Sequence, residues 1–479
     1  MRVVVRTALF APLTALIVAT SCSSPPDPEP TSSPTTTPTT TPAVTADPWP
    51  DRPVVTLDFD IADDLSTVAG RETVSFTPDA QVCELVFRTW ANKPELAASG
   101  TSLTVNAVSV DGQPAAARVD AAGAPQGAPG SLIEVPLPAC IESGTTVNAE
   151  LGFTLVLGED AGERTGRSQD DRSVWLATAF PLLAWERERG WARDPAVELF
   201  GEMAASEDFQ LERLDVVAPA DLDVLSTGTL QDRTEGPRPG TATHRFAADA
   251  VRDIAVTVGD YDIVEREVDG VRLHVAVPTV GVNETAAALA DTQEVSLRGM
   301  TALLGPFPYP DLSVTVVPAV VTGIEFPGAI FYGDLARGRR ETITHETAHM
   351  YFYGLVGNNQ GRDPWLDEAF ATYAQAIVDG QADRFGLFTP PPYAVGQVGQ
   401  PMTYWEVQPQ TYGPGVYGQG AQALLQARQA VGAAAFDNAI RSYVAENAHQ
   451  VATPDDVARA LADFPEAIDI LQDAGALQP

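Results

Sequence analysis

From Val147 to Leu157 every second residue is apolar: Val147, Ala149, Leu151, Phe153, Leu155 and Leu157. A strand projects successive side chains to opposite faces, so this run lays its apolar groups on one face of a sheet and must bury them. Leu57, Phe59 and Ile61 repeat the pattern. Further strands are predicted over 85–90, 102–110, 131–137, 211–217, 254–258 and 271–277, with Asp111-Gly112 and Asp269-Gly270 as turns. The chain has 479 residues, 44% hydrophobic and 19% charged, which suits two or three globular units and excludes wholesale disorder.

The period changes after about Tyr261. Residues 283–304 carry Leu289, Val295, Met300 and Leu303 at helical spacing and end before Gly305-Pro306. A strand over 312–317 leads to Gly323-Ile324-Glu325-Phe326-Pro327-Gly328 and a short strand over 329–332. Helices are predicted over 338–355 and 364–379, then a Pro-, Gly- and Gln-rich loop to about Val416, then helices over 417–431, 434–447 and 454–462. No internal repeat is visible.

The N-terminus reads as an export signal. Arg2 and Arg6 precede an apolar stretch from Ala8 to Ala19, too short to span a hydrocarbon core of about 30 Å. Ala19-Thr20-Ser21-Cys22 resembles a bacterial lipobox, with Ala19 departing from its usual Leu or Val. The expectation is a signal peptide over 1–21, a lipid on Cys22, and a Pro/Thr/Ser-rich tether over 22–50 holding the rest of the chain at the outer face of the cell membrane. Plain secretion is the alternative. No other apolar stretch is long enough to cross a bilayer.

Of the remaining cysteines, Cys83 and Cys140 lie in strand-like surroundings. Export favours one disulfide between them over two buried thiols. The formal charge of −35 argues against nucleic acid and anionic lipid surfaces as partners.

The chemistry is carried by His345-Glu346-Thr347-Ala348-His349. On a helix, positions i and i+4 share one face, so two imidazoles can hold one ion with Glu346 beside them. A catalytic zinc takes three protein ligands, and the next helix offers Glu368 within Trp365-Leu366-Asp367-Glu368-Ala369-Phe370-Ala371. The aromatic residues around Glu368 imply burial, where an unpartnered carboxylate is costly.

His-Glu-x-x-His, eighteen residues and then this glutamate resemble the aminopeptidase N-like and leukotriene A4 hydrolase-like gluzincins. Gly323-Ile324-Glu325-Phe326 is similar to that family's Gly-x-Met-Glu-Asn segment, with Ile324 and Phe326 in place of Met and Asn. Tyr417-Gly418-Gln419-Gly420-Ala421 is similar to its Tyr-Glu-Lys-Gly-Ala, and Phe87-Arg88-Thr89-Trp90-Ala91-Asn92 to a phrase of its N-terminal domain. The resemblance implies an α+β multidomain chain. An antiparallel, saddle-like β-rich domain (51–261) is followed by a thermolysin-like, mainly α catalytic domain (262–479).

It further implies one zinc ion on His345, His349 and Glu368, with Glu346 as general base toward the attacking water and Tyr417 stabilising the oxyanion. Glu325 would bind the free amine of a peptide, Gly323 would lie beside the substrate backbone, and Tyr412 would stand near the site. A second acidic amine ligand has only Glu186 and Glu188 as candidates.

The sequence runs about 60 residues beyond Tyr417, where many members continue into a large helical domain. The expectation is a more open cleft. Peptides are the expected partners, and the function implied is that of an exported zinc aminopeptidase. The alternatives are an endopeptidase with an open cleft and a non-catalytic, peptide- or partner-binding surface lipoprotein. The last would need neither Glu346 nor Tyr417. Opening an epoxide, as one branch of the family does, finds no support in these residues.

Overall fold

The structure, a computed structural model, describes residues 45–199, 206–334 and 339–479. The expected signal, Cys22 and the tether up to residue 44 lie outside the described residues.

The alternating run becomes the strand Val147–Val156, its odd-numbered side chains buried. It lies in an eight-stranded sheet between Thr67–Phe76 and Ser102–Val110. Val54–Ile61 follows beyond Thr67–Phe76, and then Phe209–Pro219, Thr241–Val251 and Thr229–Glu235. All pairs are antiparallel except Val54–Ile61 with Phe209–Pro219, which run parallel. Two four-stranded sheets pack with this one, so the first half is β-rich as expected.

In one of the smaller sheets the adjacent strands Val82–Arg88 and Leu132–Ile141 carry Cys83 and Cys140, whose sulfurs are bonded. Both cysteines are exposed rather than buried. The phrase Phe87–Asn92 forms a buried knot. The Arg88 guanidinium lies 3.9 Å from the Trp90 ring centroid, and the Asn92 amide donates to the Leu103 and Gly130 carbonyls at 2.8 and 2.9 Å.

A five-stranded sheet opens the mainly helical half. Its order is Tyr261–Val268, Val271–Pro278, Asp311–Val316, Ala329–Tyr332 and Gly323–Phe326, so Gly323–Phe326 is the edge strand. Trp175 and Ala255 of the β-rich half cluster with Ile324, Phe326 and Phe331 of this sheet, fixing the edge strand from behind. Helices Ala286–Leu304, Arg339–Ala348, Trp365–Val378, Gly420–Val431 and Ala433–Glu446 complete this half. Among the described residues no helix is long and apolar enough to cross a membrane.

Four features differ from the sequence reading. The helix expected to reach 355 ends at Ala348: the Met350 and Tyr351 N–H groups bond to carbonyls three residues back, and the chain then turns through Tyr353 at a φ of 91°. The long loop before 416 contains short helices at Ala382–Phe385 and Met402–Trp405. Residues Gly413–Gln419 form a wide π-type turn ahead of Gly420–Val431, and a further helix spans Pro465–Asp473.

His244, on Thr241–Val251, illustrates how burial tunes stability. Burial, and then the neighbouring Arg233, push its imidazole down from 6.5 to about 4. The folded chain thus keeps His244 neutral where an unfolded one would be charged. Its contribution is full above about pH 6.5 and is lost as pH falls toward about 4. Thermal melts between about pH 7 and pH 4 should show a smaller acid-side loss for His244→Gln than for the unmodified chain. Equal losses would refute the assignment.

Candidate metal centre and active site

His345, Glu346 and His349 face a cleft of about 740 Å³. Polar residues on the opposite side of the helix explain why this face turns to the cleft. Thr347 and Thr344 point to the buried side of the helix, where the Gln293 amide donates to Thr347 Oγ1 at 2.7 Å and Ser296 and Thr344 share a hydrogen bond of 2.9 Å. Gln293 in turn accepts from the Tyr332 hydroxyl at 3.0 Å. Helix Ala286–Leu304 and the sheet therefore lock the rotation of Arg339–Ala348.

Glu368 arrives on Trp365–Val378, a helix almost wholly buried. Phe370 sits at its centre, stacked on Phe352, Trp365 and Tyr443. Asp367 turns away from the cleft, accepts from the Gln360 amide at 3.0 Å, and is pushed up to about 8, chiefly by burial and then by Glu368.

Three donor atoms converge. His345 Nε2 and His349 Nε2 stand 3.0 Å apart, and Glu368 Oε2 lies 3.1 Å from the first and 3.4 Å from the second. A tetrahedral ion with ligands at about 2.1 Å separates its donors by about 3.4 Å, so two imidazoles and a carboxylate in this arrangement fit zinc. His349 Nδ1 lies 3.2 Å from the Phe352 carbonyl, which can only accept, so Nδ1 donates there and Nε2 is the nitrogen left to face an ion. Burial opposes charge on both rings. It wins at His345, which is lowered, whereas Glu325, Glu368 and Glu346 hold His349 well above its ordinary value.

Glu346 is 5% exposed, and burial raises its carboxyl well above the usual range, with Glu325 and Glu368 adding to the effect and His349 opposing it. Gly323 lies against it: a Cβ there would come within 2.4 Å of the Glu346 carboxylate. Glu325 also faces the cleft, and its carboxylate, that of Glu346 and His349 form a second cluster of potential ligands. The Gln360 amide donates to Glu325 at 3.3 Å. Arg164 of the β-rich half is near as well. Burial works against its charge, yet Glu325 and then Glu163 hold it above its ordinary value.

Tyr417 lies on the π-type turn, its ring stacked on His345 with centroids 5.6 Å apart. Tyr412 packs edge-on against it at 5.6 Å. Burial and then the charge of Glu368 keep both phenols protonated, well above their ordinary value.

The structure thus brings together His345, His349, Glu368, Glu346, Glu325, Gly323, Tyr412 and Tyr417 on one cleft. It does not bring Glu186 or Glu188 there. Glu186 is buried and accepts from Arg362 at 2.9 Å and Asn359 at 2.7 Å, while Glu188 is exposed on a turn. Sequence reasoning missed Arg164 and Gln360 beside Glu325, and the apolar cleft wall of Phe385, Phe388, Pro409 and Pro414. None of these sits in a periodic pattern, and only the fold brings them near.

Taken together, the fold is that of the two-domain M1 zinc metallopeptidases, a β-rich domain followed by a mainly helical catalytic one. The M1 zinc metallopeptidase from Deinococcus radiodurans superposes with a TM-score of 0.64 at 20% identity, over 88% of this chain and 92% of that one. A mutant of it bound to a Tyr-Ser-Ala substrate gives 0.65, 20%, 89% and 94%. A two-domain M1 zinc metallopeptidase mutant bound to L-arginine gives 0.62, 18%, 88% and 93%. By sequence, aminopeptidase N from Streptomyces lividans is 50% identical over 44 residues, which is 9% of this chain and 5% of that protein. No family model matches the chain.

Proposed function

We propose that the chain is a zinc-dependent metallopeptidase that releases N-terminal residues from peptides. The observation that carries this reading is the convergence of His345, His349 and Glu368 on one point, with Glu346 beside them on the cleft. The M1 metallopeptidase fold supports it, as do the neighbours solved with a peptide and an amino acid.

Bound zinc supplies a Lewis acid that polarises the scissile carbonyl and acidifies water. Glu346, too far buried to be solvated freely, accepts the proton of the attacking water and delivers it to the leaving amine. Tyr417, protonated and stacked on His345, offers its hydroxyl to the developing oxyanion. The edge strand Gly323–Phe326 pairs with the extended peptide backbone, and Glu325 at its middle takes the free ammonium group. Gly323 keeps that approach open, because any side chain there would strike Glu346.

The test uses two peptides that differ only in N-terminal acetylation. Cleavage of the free peptide, with at least about a hundredfold preference over the acetylated one, is expected if an ion pair and its hydrogen bonds are lost on acetylation. Internal cleavage of both would keep the zinc chemistry and recast the enzyme as an endopeptidase. Cleavage of neither, with zinc bound, would favour the binding lipoprotein.

The same reading places the enzyme outside the cytoplasmic membrane, tethered by a lipid on Cys22. The Arg2–Ala19 signal pattern supports export, and so does the Cys83–Cys140 bond, which suits an oxidising compartment. A fatty-acid analogue should label the full chain and not Cys22→Ala. Equal labelling would exclude the anchor.

A further inference from the structure

Two consecutive residues of the β-rich half, Arg252 and Asp253, are 3% and 1% exposed and reach onto the turn that follows the metal-site helix. Arg252 Nε donates to the Gly354 carbonyl at 3.1 Å, Nη1 donates to the Ser206 carbonyl at 2.9 Å, and the guanidinium pairs with Asp208 at 2.6 Å. Asp253 Oδ2 accepts from the Tyr353 hydroxyl at 3.2 Å and from Thr178 Oγ1 at 2.6 Å, while Oδ1 accepts from the Ile254 N–H at 2.7 Å.

Tyr353 holds a φ of 91°. A bulky L-residue rarely adopts such a backbone, and it persists only where surrounding contacts over-determine it. Here the turn is closed by Tyr353 N–H to Val356 O at 2.8 Å and by Gly354 N–H to His349 O at 2.9 Å. The residue before Tyr353 supplies the carbonyl that accepts from His349 Nδ1.

We propose that Asp253 is a positioning residue for His349. It pins the Tyr353 ring, and so holds the turn whose Phe352 carbonyl orients the imidazole toward the ion. The chain of contacts runs from the β-rich half, through one buried carboxylate and one strained tyrosine, to a metal ligand. The proposal rests on the metal-site reading and not on the choice of substrate. Glycine would hold the same φ without assistance. The need for Asp253 therefore comes from having a tyrosine at 353, and this makes the coupling measurable.

Zinc affinity is read by competition with a chromophoric chelator, and ligand geometry by the visible spectrum after cobalt substitution. Partners of this kind typically contribute 10- to 100-fold to metal affinity. Tyr353→Phe, which removes only the hydroxyl, should weaken zinc by about 10-fold and shift the cobalt bands. Asp253→Ala, which removes the acceptor, should do the same in the unmodified chain, yet cost less than about twofold more when added to Tyr353→Gly.

A full further loss in the Tyr353→Gly background, or unchanged affinity and spectrum in Tyr353→Phe, would overturn the proposal. If the unmodified chain binds zinc but cleaves no peptide, the functional reading fails while this readout stands. If it binds no zinc, both fall.

Discussion

Replacing Glu346 by glutamine is expected to lower kcat by about 10³-fold while the protein keeps its zinc. Glutamine has the size of glutamate and retains hydrogen-bonding atoms, so it can stay beside Gly323 without opening the cleft. What it lacks is a group that can take a proton from water and give it to the leaving amine. Glu346 is not one of the three groups whose donor atoms meet at 3.0 to 3.4 Å, so the metal should stay. The check is paired: turnover of a free-amine peptide and zinc per chain on the same preparation. Activity above about a tenth of the unmodified enzyme would remove Glu346 from the proton-transfer role, whereas loss of zinc would show it to be a ligand.

Stripping the ion should cost about 4 kcal/mol of stability relative to protein held at free zinc near a thousand times its dissociation constant. The structure gives the reason. Glu325, Glu346 and Glu368 are 3%, 5% and 2% exposed and cluster around two histidines. Like charges crowded in a buried site repel, and a divalent cation at the focus of the donors compensates them. A chelator should lower Tm by several degrees, and added zinc should restore it while magnesium, which prefers oxygen ligands, should not. An unchanged Tm after verified zinc removal would mean that the site is not built around an ion.

The convergence of His345, His349 and Glu368 was legible in the sequence because two local rules suffice for it. The spacing of His345 and His349 puts both rings on one helix face, and one helix hairpin carries Glu368 to them. Val147–Val156 was equally plain, since one buried face writes a strict alternation. Thr229–Glu235 was not, because almost every residue of it is exposed and no alternation results. The end of the His345 helix was misread for a different reason. Met350 to Leu355 continue apolar, and nothing in their composition announces that Tyr353 turns left-handed.

Glu186 was a candidate for a second acidic amine ligand, yet Arg362, from the other half of the chain, engages it. Arg164 and Arg252 act on the site and its following turn from a distant part of the chain, and no local pattern could declare them. What escaped reading around the carboxylates of the site was long-range partnership.

Beyond the terminal amine that Glu325 would take, the edge strand Gly323–Phe326 would meet the rest of a bound peptide through backbone groups. Recognition through it is indifferent to most side chains but not to the one residue that has no N–H to give. Peptides with proline among the residues lying along this strand would forfeit a rung of the ladder, so resistance to degradation would be decided by backbone chemistry before any pocket is consulted.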